Sequence, residues 1–160
     1  MTYEFVPAGL GIALRIPPMD FETYSEAGYV WEPHRQKWGS PPGAPGTTRG
    51  LSVVGLRNYA THPTTEVTSF YYDLFDGHGR THWRPGLPNP QRLFDYLAAG
   101  GLLEAHNVGF EWHIWTFVCV PRYRWPMLPE AQLRCSMAKS AAHALPRALG
   151  DVGQIGRAHV

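Results

Sequence analysis

Apolar and polar positions alternate in short runs along this chain, and proline and glycine cut the runs apart. Residues 10–16 form an apolar segment that leads into a first strand, interrupted by Pro17 and Pro18. Proline has no N–H to give to a ladder, so the paired part is expected over residues 19–23. Within Met19-Asp20-Phe21-Glu22-Thr23, the two-residue period of a strand puts Met19 and Phe21 on one face and Asp20 and Glu22 on the other. Residues 67–73 (VTSFYYD) are rich in β-formers and predict a second strand. Asp76-Gly77-His78-Gly79 predicts a turn, and residues 81–83 a short returning strand.

Helical spacing begins after that hairpin. Asn89-Pro90 reads as a cap followed by proline at the first helical position. Leu93, Phe94 and Leu97 give the apolar stripe, and Gly100-Gly101 the stop. Residues 102–105 predict a short buried strand. A second helix is expected from Asn107 or Val108, with Phe110, Ile114, Phe117 and Val118 facing the core and Glu111 beside that stripe in the first turn. A proline- and aromatic-rich connection (121–129) leads to a last strand near 133–136, a helix over 137–144 and another from Pro146. The order β-β-β-α-β-α-β-α predicts a mixed sheet flanked by helices, the α/β class.

Residues 29–50 break the pattern. Trp31, Trp38, four prolines and several charges stand there without periodicity, which predicts an inserted loop. Its tryptophans either anchor it or form a stacking surface for bases. With 160 residues, 44% hydrophobic and 17% charged, the chain suits one domain with its own core rather than disorder. No run of about 18 apolar residues is present, and the start lacks a signal-peptide layout. Cys119 and Cys135 are the two cysteines, so reduced thiols and a cytoplasmic location, that of the host cell for a phage protein, are expected. The net charge of +1 gives no broad basic field, so a nucleic-acid contact has to be local. The eight histidines show no ligand spacing and read as surface residues.

The chemistry-bearing stretch is Asp20-Phe21-Glu22. Two carboxylates side by side repel each other and raise each other's pKa. Hard, oxygen-seeking cations such as Mg²⁺ or Mn²⁺ neutralise such a pair. The plainer reading is a solvated strand face.

Asp20-Phe21-Glu22-Thr23 followed by Ala105-His106-Asn107-Val108-Gly109-Phe110-Glu111 resembles the first two motifs of the DEDD 3′–5′ exonucleases. Tyr59-Ala60-Thr61-His62-Pro63-Thr64-Thr65-Glu66-Val67, Trp83-Arg84-Pro85-Gly86, Leu133-Arg134-Cys135-Ser136-Met137-Ala138 and Ala144-Leu145-Pro146 resemble the exonuclease region of phage-type family A DNA polymerases. The likeness covers roughly residues 19–154. It implies an RNase H-like fold and proofreading by hydrolysis of the terminal phosphodiester at a single-stranded DNA 3′ end, with two divalent ions, Mg²⁺ or Mn²⁺. A polymerase domain would belong to the same full-length chain.

Carried across, Asp20 would bridge both ions. Glu22 would hold one and help orient the attacking water, and Glu111, where the family more often has Asp, would complete the ligands of the second ion. Phe21, Thr23, Asn107 and Phe110 would contact the substrate. Asn107 has a competing reading as a helix cap, and Phe110 as a core residue. His106 reads as structural, because an all-oxygen site suits Mg²⁺ better than imidazole does. Cys135 reads as a small buried strand residue rather than a reactive one.

The family's third motif, a Tyr or His followed by a fourth carboxylate, does not occur downstream of Leu145-Pro146. Asp151 comes too early and lacks the preceding Tyr or His. The chain as it stands is therefore expected to be nearly inactive. Residues 155–160 (IGRAHV) translate ATCGGAAGAGCACACGTC, the start of a sequencing adapter, so the native domain is expected to span 1–154. A free-standing DEDD nuclease acting on DNA or RNA, or a nucleic-acid-binding module without catalysis, are the competing readings.

Overall fold

The computed structural model describes residues 15–28, 30–32, 34, 37–39, 51–148 and 150–151. The expected strand lead-in before Arg15, most of the 40–50 segment and the 155–160 tail lie outside these residues, as does most of the helix expected from Pro146. The first strand, β1 (Met19–Tyr24), carries the alternation its sequence predicts: Met19 and Phe21 are buried, Asp20 and Glu22 exposed. It pairs antiparallel with β4 (Glu66–Tyr72), and β4 pairs antiparallel with β5 (Thr81–Trp83). Between β1 and β4 in sequence stand a small hairpin, β2 (Val30–Glu32) with β3 (Lys37–Gly39), and a helix, α1 (Leu51–Thr61).

The hairpin lies within the stretch 29–50 read as an inserted loop, and α1 follows it where the sequence pattern predicts no element. Each hairpin strand is three residues long, too short to show a period. Helix α1 contains two valines and an interior glycine, weak helix formers. Gly55 sits at φ 77°, so the helix is broken there rather than continuous.

The second half of the chain supplies α2 (Gln91–Ala98), β6 (Leu103–Ala105), α3 (Val108–Ile114), α4 (Val120–Tyr123), β7 (Leu133–Cys135) and α5 (Ser136–Ala142). Strands β6 and β7 are parallel. They join β1 through a parallel bridge between Pro18 and Glu104, where the Glu104 N–H donates to the Pro17 carbonyl at 2.9 Å. Proline's carbonyl can still accept, so Pro17 and Pro18 end the antiparallel ladder without preventing this junction. The strands therefore follow the spatial order β5-β4-β1-β6-β7 with β1 central. This is a mixed α/β arrangement of small sheets flanked by helices.

Asn89 does not cap α2; Pro90 takes the cap position. The Asn89 amide instead donates to the Tyr123 carbonyl and accepts from the Trp125 indole, tying α2 to the distant connection.

After α3 the chain winds into a π-helical turn, Trp115–Cys119. The inward row keeps the i, i+3, i+4, i+7 spacing of a helix but runs through Glu111 and Trp115 instead of Phe110 and Phe117. Trp115 and Cys119 join Ile114 and Val118 inside, while Phe110 and Phe117 are only half-buried. Glu111 lies on this inward row, not beside it, and is 3% exposed.

The core is aromatic. Phe21 stacks on Phe70 with ring centres 4.3 Å apart. Trp115 meets both edge-on at 6.4 and 6.2 Å, and Trp125 lies 4.7 Å from Trp115 and 4.8 Å from Trp83. The indole N–H groups of Trp83, Trp115 and Trp125 donate to Pro88 O, Pro126 O and Asn89 Oδ1. Each buried ring thus keeps its polar atom satisfied.

Replacing the fully buried Phe70 with alanine should cost about 3–5 kcal/mol. Phe75→Ala, at a ring 45% exposed, should stay within about 0.5 kcal/mol. Urea unfolding of both variants checks this; equal losses would mean the aromatic cluster does not carry the core.

Candidate functional site

The sheet and α3 bring two of the expected carboxyl groups together. Asp20 projects from the central strand, and Glu111 lies in the first turn of α3, which packs against β1. Burial pushes the Glu111 pKa up to about 8; its own backbone N–H opposes the shift and the Asp20 charge adds to it. That last cause places the two carboxyls within electrostatic reach. One Glu111 oxygen, Oε2, is buried with no hydrogen-bond partner, and such an atom is costly unless something pairs it. Asp20 is exposed as a residue, yet partial desolvation holds its carboxyl above its ordinary value.

Glu22 sits on the same strand face, two residues on, and is exposed. Successive residues on one face lie roughly 6.5–7 Å apart along a strand. Among the described residues no group of three or more His, Cys, Asp or Glu side chains is arranged to hold a metal ion. Asp20 lies within electrostatic reach of Glu111, and Glu22 is exposed on the strand face that Asp20 shares. The ladder register slips between Glu22 and Thr23. A bulge of this kind re-aims side chains locally and is common beside functional sites.

The remaining candidates divide between interior and rim. Phe21 is 4% exposed with its ring in the core, so contact with a substrate at this position falls to the backbone. Thr23 Oγ1 lies 3.0 Å from the Tyr59 hydroxyl, and the Tyr59 ring lies 6.0 Å from that of Phe110. These three residues tie the end of β1 to α1 and α3. Asn107 occupies the position before α3 in the left-handed region (φ 64°), which asparagine tolerates. Its side chain makes no capping bond; the cap expected from its chemistry is absent.

His106 commits both ring nitrogens to the fold, Nδ1 at 3.1 Å from Ser136 Oγ and Nε2 at 2.6 Å from the Arg147 carbonyl. Since a carbonyl only accepts, Nε2 carries the hydrogen there. Cys135 is half-buried rather than buried, and its sulfur accepts from the Ala138 N–H at 3.4 Å. Desolvation pushes this thiol up, but the backbone N–H groups of Ala138, Val108, Asn107 and Met137 outweigh it and leave its pKa below the usual value. Burial pushes the Cys119 thiol well up.

Beside Asp20 a cavity of about 360 Å³ opens between β1 and β4, lined also by Tyr71, Asp73 and Arg80. The sequence reading did not single out these three. Tyr71 is the cross-strand partner of Asp20, so the period of two that places Asp20 on the open face places Tyr71 there as well.

The oxygen-only donors Asp20 and Glu111, one of them with an orphaned buried oxygen, suit a hard cation. No helix among the described residues is long and apolar enough to cross a membrane. Comparison with family models, curated proteins and solved structures finds no match to this chain.

With Glu111 protonated in the fold up to about pH 8 against a usual 4.5, its contribution to stability is greatest below pH 4.5 and is lost as pH rises through 8. The slope reaches at most ~1.4 kcal/mol per pH unit. In EDTA, the thermal midpoint of the unaltered chain should fall between pH 5 and 8 more than that of Glu111→Gln, which cannot ionise. Parallel profiles for the two would show that Glu111 does not carry a raised pKa.

Proposed function

We propose that this chain is the proofreading 3′–5′ exonuclease region of a phage-type family A DNA polymerase, built on an RNase H-like sheet. The observation that carries the reading is the pairing of Asp20, on the central strand of the order β5-β4-β1-β6-β7, with the buried Glu111 of the neighbouring helix. A three-stranded antiparallel sheet bridged beside β1 to a parallel pair supports a mixed sheet of this kind. The resemblance over residues 19–154 supports the same assignment.

Asp20 and Glu111 would hold the divalent ions, with Glu22 joining from the exposed face. When bound, Mg²⁺ or Mn²⁺ supplies an activated water and stabilises charge on the departing 3′ oxygen. Without a cation, Glu111 holds its proton at neutral pH, so binding there has to displace it. Strand alternation keeps Asp20 and Glu22 on one face, and Thr23 Oγ1 meets the Tyr59 hydroxyl next to the bulge that Thr68 makes in β4. Phe21 and Trp115 clamp β1 against α3 from the opposite face and so set the spacing of Asp20 from Glu111.

A second reading, a nucleic-acid-binding module without catalysis, is favoured by one observation: the described residues bring two carboxyls together, not three. Manganese binding separates the two readings.

A chain extended through the native downstream sequence should degrade single-stranded DNA from its 3′ end with Mg²⁺ or Mn²⁺, whereas residues 1–154 should not. Asp20→Asn in the extended chain should lower that rate by about a thousandfold, equivalent to several kcal/mol of lost transition-state stabilisation. Its metal-free thermal midpoint should hold or rise slightly, because a partly desolvated charge at Asp20 is removed. The rise in midpoint that Mn²⁺ gives the unaltered chain should shrink. Wild-type turnover in the variant would remove Asp20 from the metal site; brisk degradation by residues 1–154 would mean the fourth ligand is already present.

A further inference from the structure

The open face of the β1-β4-β5 sheet carries more than carboxylates. Tyr71 stands opposite Asp20 on one side and His82 on the other. Its ring stacks on the His82 imidazole at 4.6 Å and 16°, and the Arg80 guanidinium sits over it at 5.3 Å from the ring centre. Arg80 and His82 are exposed, and Tyr71 is half-buried. Among the described residues, the Arg80 guanidinium is set against an aromatic ring rather than against a carboxylate. Of this column, Arg80 and Tyr71 line the cavity that also holds Asp20 and Asp73.

We propose that this cavity is a subsite for one nucleotide of a single DNA strand, with the base lying on the Arg80–Tyr71 column and a backbone phosphate held by Arg80. The inference rests on the exonuclease reading and adds to it the residues that hold the strand beside Asp20. At about 360 Å³ the cavity lies at the small end of ligand sites, roughly 300–1,000 Å³, which admits one nucleotide and not a duplex. Aromatic rings and guanidinium planes both take a base on their faces, and every base has such a face. Recognition by this column is therefore independent of sequence, as trimming of any 3′ end demands. Asp20 and Asp73 repel a phosphate from their side of the cavity, and Arg80 is the cation on its wall. The charges thus orient the nucleotide, with its phosphate towards Arg80.

The test is binding of a fluorescein-labelled dT10 to the 160-residue chain in EDTA, where no turnover occurs, read by anisotropy across a salt series. Arg80→Ala should weaken binding about tenfold and reduce the slope of log K against log salt by about 0.7, the value for one phosphate contact on a single strand. Tyr71→Ala should weaken it at least about fivefold, the lower end of a base-stacking contribution. Arg80→Lys should keep the salt slope yet lose affinity, because the charge stays and the plane is gone. Arg134→Ala, outside the cavity, should bind as the unaltered chain does, and a dT10·dA10 duplex should bind more weakly than dT10. If Tyr71→Ala lowers the thermal midpoint into the assay range, the two Arg80 variants decide.

Unchanged dT10 binding in the Arg80 variants, equal weakening by Arg134→Ala, or no binding by the unaltered chain overturns the subsite. The exonuclease reading fails separately: the extended chain would then lack metal-dependent trimming while Arg80-dependent binding persists.

Discussion

The packing of Trp115 against Phe21 and Phe70 is the constraint on which the rest of this structure depends. It joins the helical layer to the sheet at the central strand, and Trp125 extends it to Trp83 and Phe94. Aromatic pairs at these separations add about 0.5–1.5 kcal/mol each beyond the area they bury. Their geometry is directional, so they fix the rotation of α3 as well as its distance. The π-helical turn at Trp115–Cys119 belongs to the same constraint. Trp115 and Val118 continue the inward row that Glu111 and Ile114 begin, so the turn carries that row past the end of α3.

The same inward row buries Glu111, and here packing works against electrostatics. A lone carboxylate in an apolar setting is unfavourable, and the nearby Asp20 makes it more so. The fold accommodates this by keeping Glu111 protonated at neutral pH, leaving Oε2 without a partner. Such local conflict between stability and environment is expected at functional positions. A cation shared by Asp20 and Glu111 would reverse the sign of the interaction between them.

Much of this was legible in the sequence where a period or a punctuating residue was strong. The alternation at Met19–Tyr24, the strand Thr81–Trp83 and the stop after Ala98 all lie within a residue or two of where the pattern puts them. What could not be read has identifiable causes. Helix α1 lacks good helix formers and is broken at Gly55, so it has no stripe to find. The hairpin β2–β3 is too short for a period. Asn89 and Asn107 carry the chemistry of caps, but Asn89 is recruited by Trp125 and Tyr123, 36 and 34 residues away, and Asn107 is used for its left-handed backbone. A tertiary demand on a polar side chain leaves no local trace. The same holds for the Tyr59–Thr65 block, whose hydroxyls and backbone bind Thr23, Ser25 and Glu26. Its resemblance to exonuclease text says nothing of that structural task.

The two faces of the β1-β4-β5 sheet divide the labour that follows. One face, with Met19, Phe21, Val67, Phe70, Tyr72 and Trp83, is closed by the core. The other presents Asp20, Glu22, Tyr71 and His82 to the surface. Because side chains alternate, a slip of one residue in the β1–β4 register would exchange the two sets. The aromatic core therefore does more than stabilise the sheet. By making any slipped register bury Asp20 and Glu22 and expose Phe21, it fixes which groups can share the open face. Asp20 is thus held beside Tyr71 by the same ring contacts that hold Glu111 beneath it.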